Sequence, residues 1–539
     1  MGMGMADDTG AVSRVAVALR ARLSGALAPI LRHPRARVAD AALLTFVYYF
    51  HRVLGTKFRF APFGFDEHYF VWEGWSLSKG LVPYRDFQEF KPPMVFVVNA
   101  LGIELYGLDD NRYRAIFTLL SVAAFLSLTV ALLTRKVSRL LIAGTMALMI
   151  NHYFDGGLHD STINNAESLG LNFFLIGCAI LLAKLPWPRT QFVLGGVVLA
   201  LSPLSKEPLA LPTFAAWVAL LLLRHFESRE QGSGKRFAIF SITGVLGVLG
   251  VWWTYMLATR SLGWYVLQLK LNLAYSKSYA YQLGWFPKNP AIGEGWESWR
   301  RLRETYVNAA HLGVFVPLFV AAIVLWRGRR KLIGVSALAA AAGALYAVTV
   351  GHGFAAHYYI MAMTGMFFLA VLGMVAVDAE ATKAGPRLRS WVGLATAALA
   401  FLTLWPRFSE ERDKLQTYQP QPPPVTKADV AFVIEHSKPE DRIWTLGEPL
   451  LYVYSDRLSA VREPNVIDEL IGLFPGETDE ERLAGERAEL IRNRPKLVVY
   501  GDDTQAYSRK QRYIHALAQP FVTEFGYRKI ATNVYERPD

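Results

Sequence analysis

Acidic and cationic side chains that could carry chemistry recur between the apolar segments of this 539-residue chain. The first group lies in "GFDEHYFVWEGW", Gly64 to Trp75, where Asp66 and Glu67 stand side by side among aromatic residues. A carboxylate can take the proton of an attacking hydroxyl, and a cation can stabilise the charge that develops on a departing phosphate. Further side chains of both kinds are Glu89, Lys91, Arg112, Arg114, Glu167, Lys206, His352 and His357.

The elements that must position these residues are membrane-spanning helices. Hydrophobic residues make up 53% of the chain, and the mean hydropathy is +0.22. Apolar runs such as "RAIFTLLSVAAFLSLTVALLT" and "KLIGVSALAAAAGALYAVTV" approach the roughly 20 residues that cross a bilayer. The sequence therefore predicts a polytopic α-helical membrane protein.

The net charge of +12 does not indicate a nucleic-acid-binding protein. Several short loops between apolar runs are rich in basic residues, which is typical of loops on the cytoplasmic side; they are "TRKVSR", "RHFESREQGSGKR", "WRGRRK" and "ATKAGPRLRS". Residues 11–37 are basic and apolar in turn, as expected for a segment on the inner membrane surface. The single cysteine, Cys178, excludes intrachain disulfides, iron–sulfur clusters and multi-cysteine zinc sites.

Placing the basic loops inside predicts about eleven spans, with the N-terminus inside and the C-terminus outside. The spans are 41–54, 114–133, 138–152, 167–184, 191–205, 209–224, 236–257, 311–326, 332–350, 357–377 and 390–405. The apolar segment 92–107 is not counted, because a span there would place every later basic loop outside. We expect it at the outer interface or partway into the bilayer.

Four regions follow from this topology. A basic cytoplasmic segment covers residues 1–38, and a transmembrane domain with an external loop at 55–112 covers residues 39–406. A proline-rich linker, residues 407–424, leads to a soluble external domain, residues 425–539. In that domain "ADVAFVIEHS" and "ERLAGERAELIRNRP" predict helices, whereas "DRIWTLG" and "KLVVYGD" predict strands. This alternation is typical of a small α/β domain.

The ionisable residues outside the basic loops gather at the outer interface in this topology. A transporter would more naturally hold them near the bilayer midplane. Their position favours chemistry on a substrate whose polar head lies at the outer surface and whose tail lies in the lipid. Sugar transfer from a polyprenyl phosphate fits, with Lys206, Arg114 and Arg112 as candidate cations for the leaving phosphate. One carboxylate would take the acceptor proton, and a single displacement would invert the anomeric centre.

Several ordered motifs resemble the GT-C glycosyltransferases, most closely the family 39 branch. That branch includes the bacterial protein O-mannosyltransferases and the lipid A aminoarabinose transferase. The motifs cover roughly residues 40–360 and are "FDEHYF", "GLVPYRDFQEFKPPMVFVVNALGIELYG", "NRYRAIFTLLS", "NNAESLGLNFF", "LSPLSKEP" and "HYYIMAM". The resemblance implies the GT-C fold, with the C-terminal domain as a variable periplasmic appendage.

The resemblance also implies roles for individual residues. Asp66 would be the catalytic base, with Glu67 beside it and Glu167 as a second active-site acid. The donor phosphate would be held by Lys206 and Arg114. Arg112 and Tyr69 are further candidates for the donor phosphate, and Lys91, His357 and Tyr358 are candidates for contact with the substrate. No cofactor is required, and the alternative is a divalent metal at Glu89, because the matching acid binds one in some relatives. The chain departs from the family pattern where Glu207 replaces a glycine and Phe70 a tyrosine.

The expected partners are a polyprenyl-phosphate sugar donor, a lipid, glycan or protein acceptor, and the lipid bilayer, but no nucleic acid. The expected location is the bacterial inner membrane, with the site and the C-terminal domain in the periplasm. Two other functions stay open: a ligase or polymerase using a diphosphate-linked glycan, and a transporter or channel with an external sensing domain. Two residues also have simpler interpretations, Lys206 as a lysine that reaches for the interface and Glu167 as a helix cap.

Overall fold

The computed structural model describes most of the chain in eleven ranges. They are residues 34–60, 65–88, 91–154, 164–227, 233–270, 331–350, 358–419, 425–446, 448–462, 479–500 and 514–538. Glu89, His352 and His357 lie outside the described residues, and so does the predicted span 311–326.

Ten described helices coincide with ten of the predicted spans. They are Pro34–Phe60, Ala115–Thr134, Arg139–Tyr153, Ala166–Leu182, Pro188–Leu201, Ala210–Glu227, Ser233–Ala258, Lys331–Val350, Tyr359–Ala384 and Pro386–Lys414. Six stretches within the described residues are long and apolar enough to cross a membrane: Asn111–Thr134, Glu207–Glu227, Ser233–Ala258, Lys331–Val348, Tyr359–Ala384 and Pro386–Lys414. The predicted polytopic α-helical fold is confirmed, whereas the total of eleven spans stays a prediction.

Two helices extend beyond the predicted spans into the neighbouring predicted regions. The first helix begins at Pro34 and continues to Phe60, so it extends into both the predicted cytoplasmic segment and the predicted external loop. His51 does not interrupt it, because this side chain is buried and packs edge-on against Phe154, with ring centroids 4.8 Å apart. The last long helix continues through Pro406 to Lys414, into the predicted linker. The end of the predicted span, residue 405, is the end of the apolar run and not the end of the helix.

The segment predicted at the outer interface forms the helix Met94–Tyr106, which follows Pro93 directly. Its 13 residues span about 20 Å at the usual helical rise, less than the roughly 30 Å of a bilayer core. This length favours the predicted position, which stays a prediction. The proline pair before it fits a helix start, where a missing N–H costs little.

A helix carrying the adjacent acids, Phe65–Ser78, packs against Met94–Tyr106; we call it the acid helix. Gly74 makes this contact close. A Cβ at this position would lie 2.5 Å from the Asn99 Cβ and 2.7 Å from the Ala100 backbone nitrogen. Glycine therefore lets the two helices approach along their backbones, as small residues do in membrane proteins.

The C-terminal region, residues 425–538, holds a five-stranded mixed sheet in the order β2-β1-β3-β5-β4. Its strands are β1 Arg442–Leu446, β2 Leu458–Ser459, β3 Leu497–Tyr500, β4 Arg528–Ala531 and β5 Val534–Glu536. β1 pairs in parallel with β2 and β3, and β5 pairs antiparallel with β3 and β4. Its described α-helices are Lys427–Glu435, Leu450–Ser455, Asp479–Asn493 and Gln519–Glu524. The predicted α/β domain is confirmed, including both helices and both strands that the sequence indicated.

This C-terminal domain lies directly on the acid helix. Its helix Leu450–Ser455 packs against the acid helix, and the Lys79 amine lies 2.6 Å from the Asp456 carboxylate. The backbone N–H of Gln88 donates to the carbonyl of Arg462 at 3.0 Å. The domain thus covers the element that carries Asp66 and Glu67.

Candidate active site

Glu67 forms a buried ion pair with Arg114. Both side chains are almost fully buried, at 0% and 1% exposure. The Arg114 guanidinium donates from Nε to Oε1 at 2.9 Å and from Nη2 to Oε2 at 2.6 Å, and the Tyr113 hydroxyl donates to Oε1 at 2.6 Å. Such two-pronged, charge-assisted contacts are strong and geometrically specific. Both oxygens of Glu67 are therefore engaged by neighbours that fix the start of the acid helix.

Asp66 has different surroundings, although it is the preceding residue. Its side chain is half-buried, and it makes no hydrogen bond or ion pair with any residue in the described ranges. Successive residues of a helix point about 100° apart, so Glu67 can turn toward Arg114 while Asp66 points elsewhere. Of the two adjacent acids, Asp66 is the one whose carboxylate is available to a substrate.

A second buried ion pair joins Lys206 to Glu167. The Lys206 Nζ lies 2.7 Å from Glu167 Oε1, and the two residues are 7% and 1% exposed. The same ammonium lies 4.8 Å from the ring centroid of Tyr358. Burial, the largest single effect, lowers the pKa of Lys206, but the Glu167 carboxylate and Tyr358 together raise it, and the net pKa is above the usual value. Lys206 is therefore charged at neutral pH and its amine lies at Glu167, not in bulk water.

Local structure explains how Lys206 reaches this position. A tight turn follows the helix Pro188–Leu201, and the Lys206 N–H donates to the carbonyl of Ser202 at 3.2 Å. The carbonyl of Leu204 in this turn accepts the N–H of Met94 at 3.0 Å. The turn is thereby attached to the first residue of the helix that packs on the acid helix.

Glu167 lies in the first turn of the helix Ala166–Leu182, but it is not the residue that caps it. The Asn165 side chain accepts the Ser168 N–H at 2.7 Å and so caps this helix. The Glu167 carboxylate is left to pair with Lys206. Glu167 therefore lies at the helix N-terminus, but the capping hydrogen bond belongs to Asn165.

Two asparagines that the sequence did not single out connect the two ion pairs. Asn99 and Asn164 exchange side-chain hydrogen bonds of 2.9 and 3.1 Å, and Asn164 Nδ2 also lies 3.4 Å from Glu67 Oε1. Asn164 directly precedes the cap of the helix that carries Glu167. The only sequence signal was a polar Asn99 in an otherwise apolar segment. Its side chain is fully buried and hydrogen-bonded.

Lys91 brings a second ammonium to the neighbourhood of Lys206. Its charge lowers the pKa of Lys206, which is the expected effect of a nearby like charge. The Lys91 amine also lies 5.9 Å from the ring centroid of Phe70 on the acid helix. Phe70, Val95 and Ala166 form a small buried cluster beside these groups. The geometry thus brings Lys91, Lys206 and Glu167 together next to the acid helix.

The remaining predicted residues have varied positions. Tyr69 is buried on the acid helix, whereas Arg112 is exposed. Arg114 already gives its Nε and Nη2 donors to Glu67. Within the described ranges, no three His, Cys, Asp or Glu side chains come together as a metal site; Glu89, the predicted metal ligand, lies outside them.

The C-terminal domain also reaches the first turn of the acid helix. The His68 Nδ1 lies 3.6 Å from a carboxylate oxygen of Glu448. Burial lowers the pKa of His68 to about 4, so the imidazole is neutral at neutral pH and this contact is not an ion pair. Glu448 therefore contacts the acid helix without adding a fixed charge pair to the site.

Comparison with solved structures identifies the class of fold. The chain is similar to ArnT from Cupriavidus metallidurans bound to undecaprenyl phosphate, with 15% identity and a TM-score of 0.51 over 93% of this chain and 98% of that one. ArnT in the apo state gives 13% identity and the same TM-score and coverage. The oligosaccharyltransferase of Archaeoglobus fulgidus in complex with Zn and sulfate gives 12% identity and a TM-score of 0.49 over 90% of this chain and 71% of that one.

No protein-family model matches the sequence, and no curated protein matches it significantly. The likeness to ArnT extends over nearly the whole of both chains. The chain therefore shares the fold of ArnT, and the predicted GT-C fold is confirmed.

Proposed function

We propose that this chain is an inverting membrane glycosyltransferase that moves a sugar from a polyprenyl-phosphate donor to an acceptor hydroxyl at the outer face of the membrane. The observation that carries the proposal is the buried Lys206 ammonium, which pairs with Glu167 and has the Lys91 charge nearby. Two ammonium groups that act on each other as like charges favour an anionic ligand such as a phosphate. The fold supports the proposal, because ArnT has been crystallised with undecaprenyl phosphate.

The proposed reaction is a single displacement. The acceptor oxygen forms a bond to the anomeric carbon while the bond from that carbon to the donor phosphate oxygen breaks. Asp66 takes the acceptor proton, and the phosphate leaves with the bonding electrons and one additional negative charge. Lys206 stabilises this charge as it develops, which is the kind of preorganised electrostatic effect that speeds such reactions most.

The two ion pairs have different proposed roles. Glu167 holds the Lys206 ammonium in place, and the Tyr358 ring lies against the same ammonium. Glu67 and Arg114 fix the start of the acid helix, so that Asp66 meets the acceptor at a constant position. We assign Arg114 this positioning role, because its guanidinium is buried and already bound to Glu67.

Substitution of Lys206 tests the proposal. Lys206→Ala should lower donor affinity and turnover together, and losing a charged hydrogen bond should cost about tenfold or more. Lys206→Arg should retain only part of the donor affinity and turnover, because a planar guanidinium does not place its charge where an ammonium does. Lys184→Ala, at an exposed lysine, is the matched control for net charge.

The measurements are native mass spectrometry of the purified protein with undecaprenyl phosphate, sugar transfer, and thermal unfolding. Donors with monophosphate and diphosphate links are compared, because transfer from the diphosphate-linked donor would indicate a ligase or polymerase. Wild-type transfer by folded Lys206→Ala would contradict the role of the lysine. Failure of the wild-type protein to bind undecaprenyl phosphate would contradict the proposed reaction itself.

We also propose the orientation that the basic loops predict, with the N-terminus in the cytoplasm of a bacterial cell. The active site and the C-terminal domain would then lie outside the inner membrane. This orientation gives the acceptor access from the periplasm and places the donor tail in the lipid.

A further inference from the structure

A cavity outside the candidate active site lies between the C-terminal domain and the acid helix with the segment that follows it. Its volume is about 340 Å³, and its lining includes Trp72, Ser76, Arg85, Arg442, Arg462 and Arg492. These residues come from two parts of the chain that are far apart in sequence. The volume lies at the lower end of the range of small-molecule sites, roughly 300–1,000 Å³, and suits a group the size of one sugar ring.

The cavity has more cations than anions in its lining. Its two carboxylates, Asp86 and Glu489, are both engaged. Arg85 binds Asp86 through Nε and Nη2, each at 2.8 Å, and the Arg462 backbone N–H donates to Glu489 at 2.9 Å. The Arg85 guanidinium also lowers the pKa of Asp86, so this carboxylate stays ionised and paired.

Arg442 and Arg492 supply charge that no carboxylate offsets within the described ranges. Arg442 donates from Nη1 to the backbone carbonyl of Ser459 at 2.5 Å, and neither arginine forms an ion pair with a described residue. Arginine is the residue best suited to binding carboxylate and phosphate groups, through parallel N–H donors. The electrostatics of the cavity therefore favour a negatively charged ligand.

The cavity wall also contains unmet hydrogen-bond donors. The Trp72 Nε1 and the Ser76 Oγ are buried and have no hydrogen-bond partner among the described residues. An indole N–H can only donate, and a buried donor without a partner is costly. Aromatic faces and donors together fit a sugar ring with several acceptor oxygens, and Trp75 adds a second indole to the lining.

We propose that this cavity binds an anionic saccharide, namely the carboxylate- or phosphate-bearing sugar of the acceptor. This assignment rests on the proposed transfer reaction. Ser76 follows Asp66 by ten residues on one helix, which is about 15 Å along its axis. The cavity is thus too far away for its ligand to react there, but it shares a rigid helix with the base. A sugar held in it would fix the acceptor while a hydroxyl further along reaches Asp66.

Isothermal titration of the full-length purified protein tests the assignment with three probes, glucose 6-phosphate, glucuronate and neutral glucose. We expect one or both anionic sugars to bind more tightly than glucose, and the comparison identifies the charged group as phosphate or carboxylate. Arg442→Gln and Arg492→Gln should each weaken that binding about tenfold. Arg528→Gln, at an exposed arginine on β4, is the matched control and should bind like the wild type.

The same variants should raise the acceptor KM and leave turnover at saturating acceptor nearly unchanged, because the cavity lies away from the reacting atoms. Equal binding of glucose and the anionic sugars, or wild-type affinity in both arginine variants, would overturn the assignment. These failures are distinct from failure of the proposed reaction, which would show as loss of donor binding in the wild-type protein.

Discussion

Separate substitution of the two adjacent acids should distinguish chemistry from folding. Asp66→Asn keeps the shape of a half-buried side chain that has no partner among the described residues. It removes only the proton acceptor. Loss of a general base commonly costs about 10²–10⁴-fold in rate, so transfer should fall by that factor while unfolding and donor affinity change little.

Glu67→Gln should show the opposite pattern. The substitution leaves Arg114 buried at 1% exposure with a neutral amide in place of its carboxylate partner. Removing one member of a buried ion pair costs about 3–5 kcal/mol. Glutamine keeps one oxygen that can accept from Arg114 or Tyr113, so we expect a loss of free energy of unfolding near the lower end, about 3 kcal/mol. Turnover of the folded fraction should fall less than in Asp66→Asn.

The assay is sugar transfer by both purified variants at saturating donor, alongside donor affinity and thermal unfolding in the same detergent. Asp66→Asn with more than about a tenth of wild-type turnover, together with a stable but inactive Glu67→Gln, would refute the choice of base. If both variants transfer sugar normally, the acid helix is not the catalytic element. A strongly destabilised Asp66→Asn would contradict the view that this carboxylate has no structural partner.

Three further perturbations test the fold, the charge of the lysine and the topology. Gly74→Ala should destabilise the protein by about 1–3 kcal/mol through overpacking, whereas Gly250→Ala, where nothing lies within 4 Å, should not; equal unfolding temperatures would contradict the close contact. The pKa of folded-state Lys206 is raised above 10.5, so its ion pair should contribute its full stability below pH 10.5 and lose it as the pH rises through the folded-state pKa. The measurement is the free energy of unfolding against pH, compared with Lys206→Met. A loss of this stability below pH 10.5 would contradict the raised pKa. In a cysteine-free background, a cysteine at Glu440 should react with an impermeant thiol reagent from outside intact cells and one at Lys136 should not, and the reverse result would invert the topology.

Much of the fold could be predicted from the sequence because the bilayer imposes a strong constraint on composition. Apolar runs and basic loops located ten helices correctly. They could not locate helix ends outside the apolar run, and so did not predict that the helices continue past Leu54 and past Trp405. Helical hydrogen bonding along the backbone continues to Phe60 and to Lys414. Hydropathy does not indicate how far a helix extends beyond its apolar run.

The candidate site was only partly predictable. Motifs located Asp66, Glu167 and Lys206, but they did not show which cation pairs with which acid. Arg114 was predicted to bind phosphate, and its partner Glu67 to share in catalysis, whereas the structure joins the two. Pairing across the fold depends on contacts between residues 47 positions apart, and neither periodicity nor local composition records such contacts.

The two buried ion pairs differ in a way that assigns the donor phosphate to one of them. The pair of Glu67 and Arg114 is closed, because both carboxylate oxygens accept from the guanidinium. A phosphate that took Arg114 would leave Glu67 buried without its cation, at a cost of several kcal/mol. In the pair of Glu167 and Lys206, the Nζ lies 2.7 Å from Oε1. An ammonium has three donors, so Lys206 can keep Glu167 while it receives a second anion. The Lys91 charge repels the Lys206 ammonium. A second anion bound between them would reduce this repulsion and is therefore favoured.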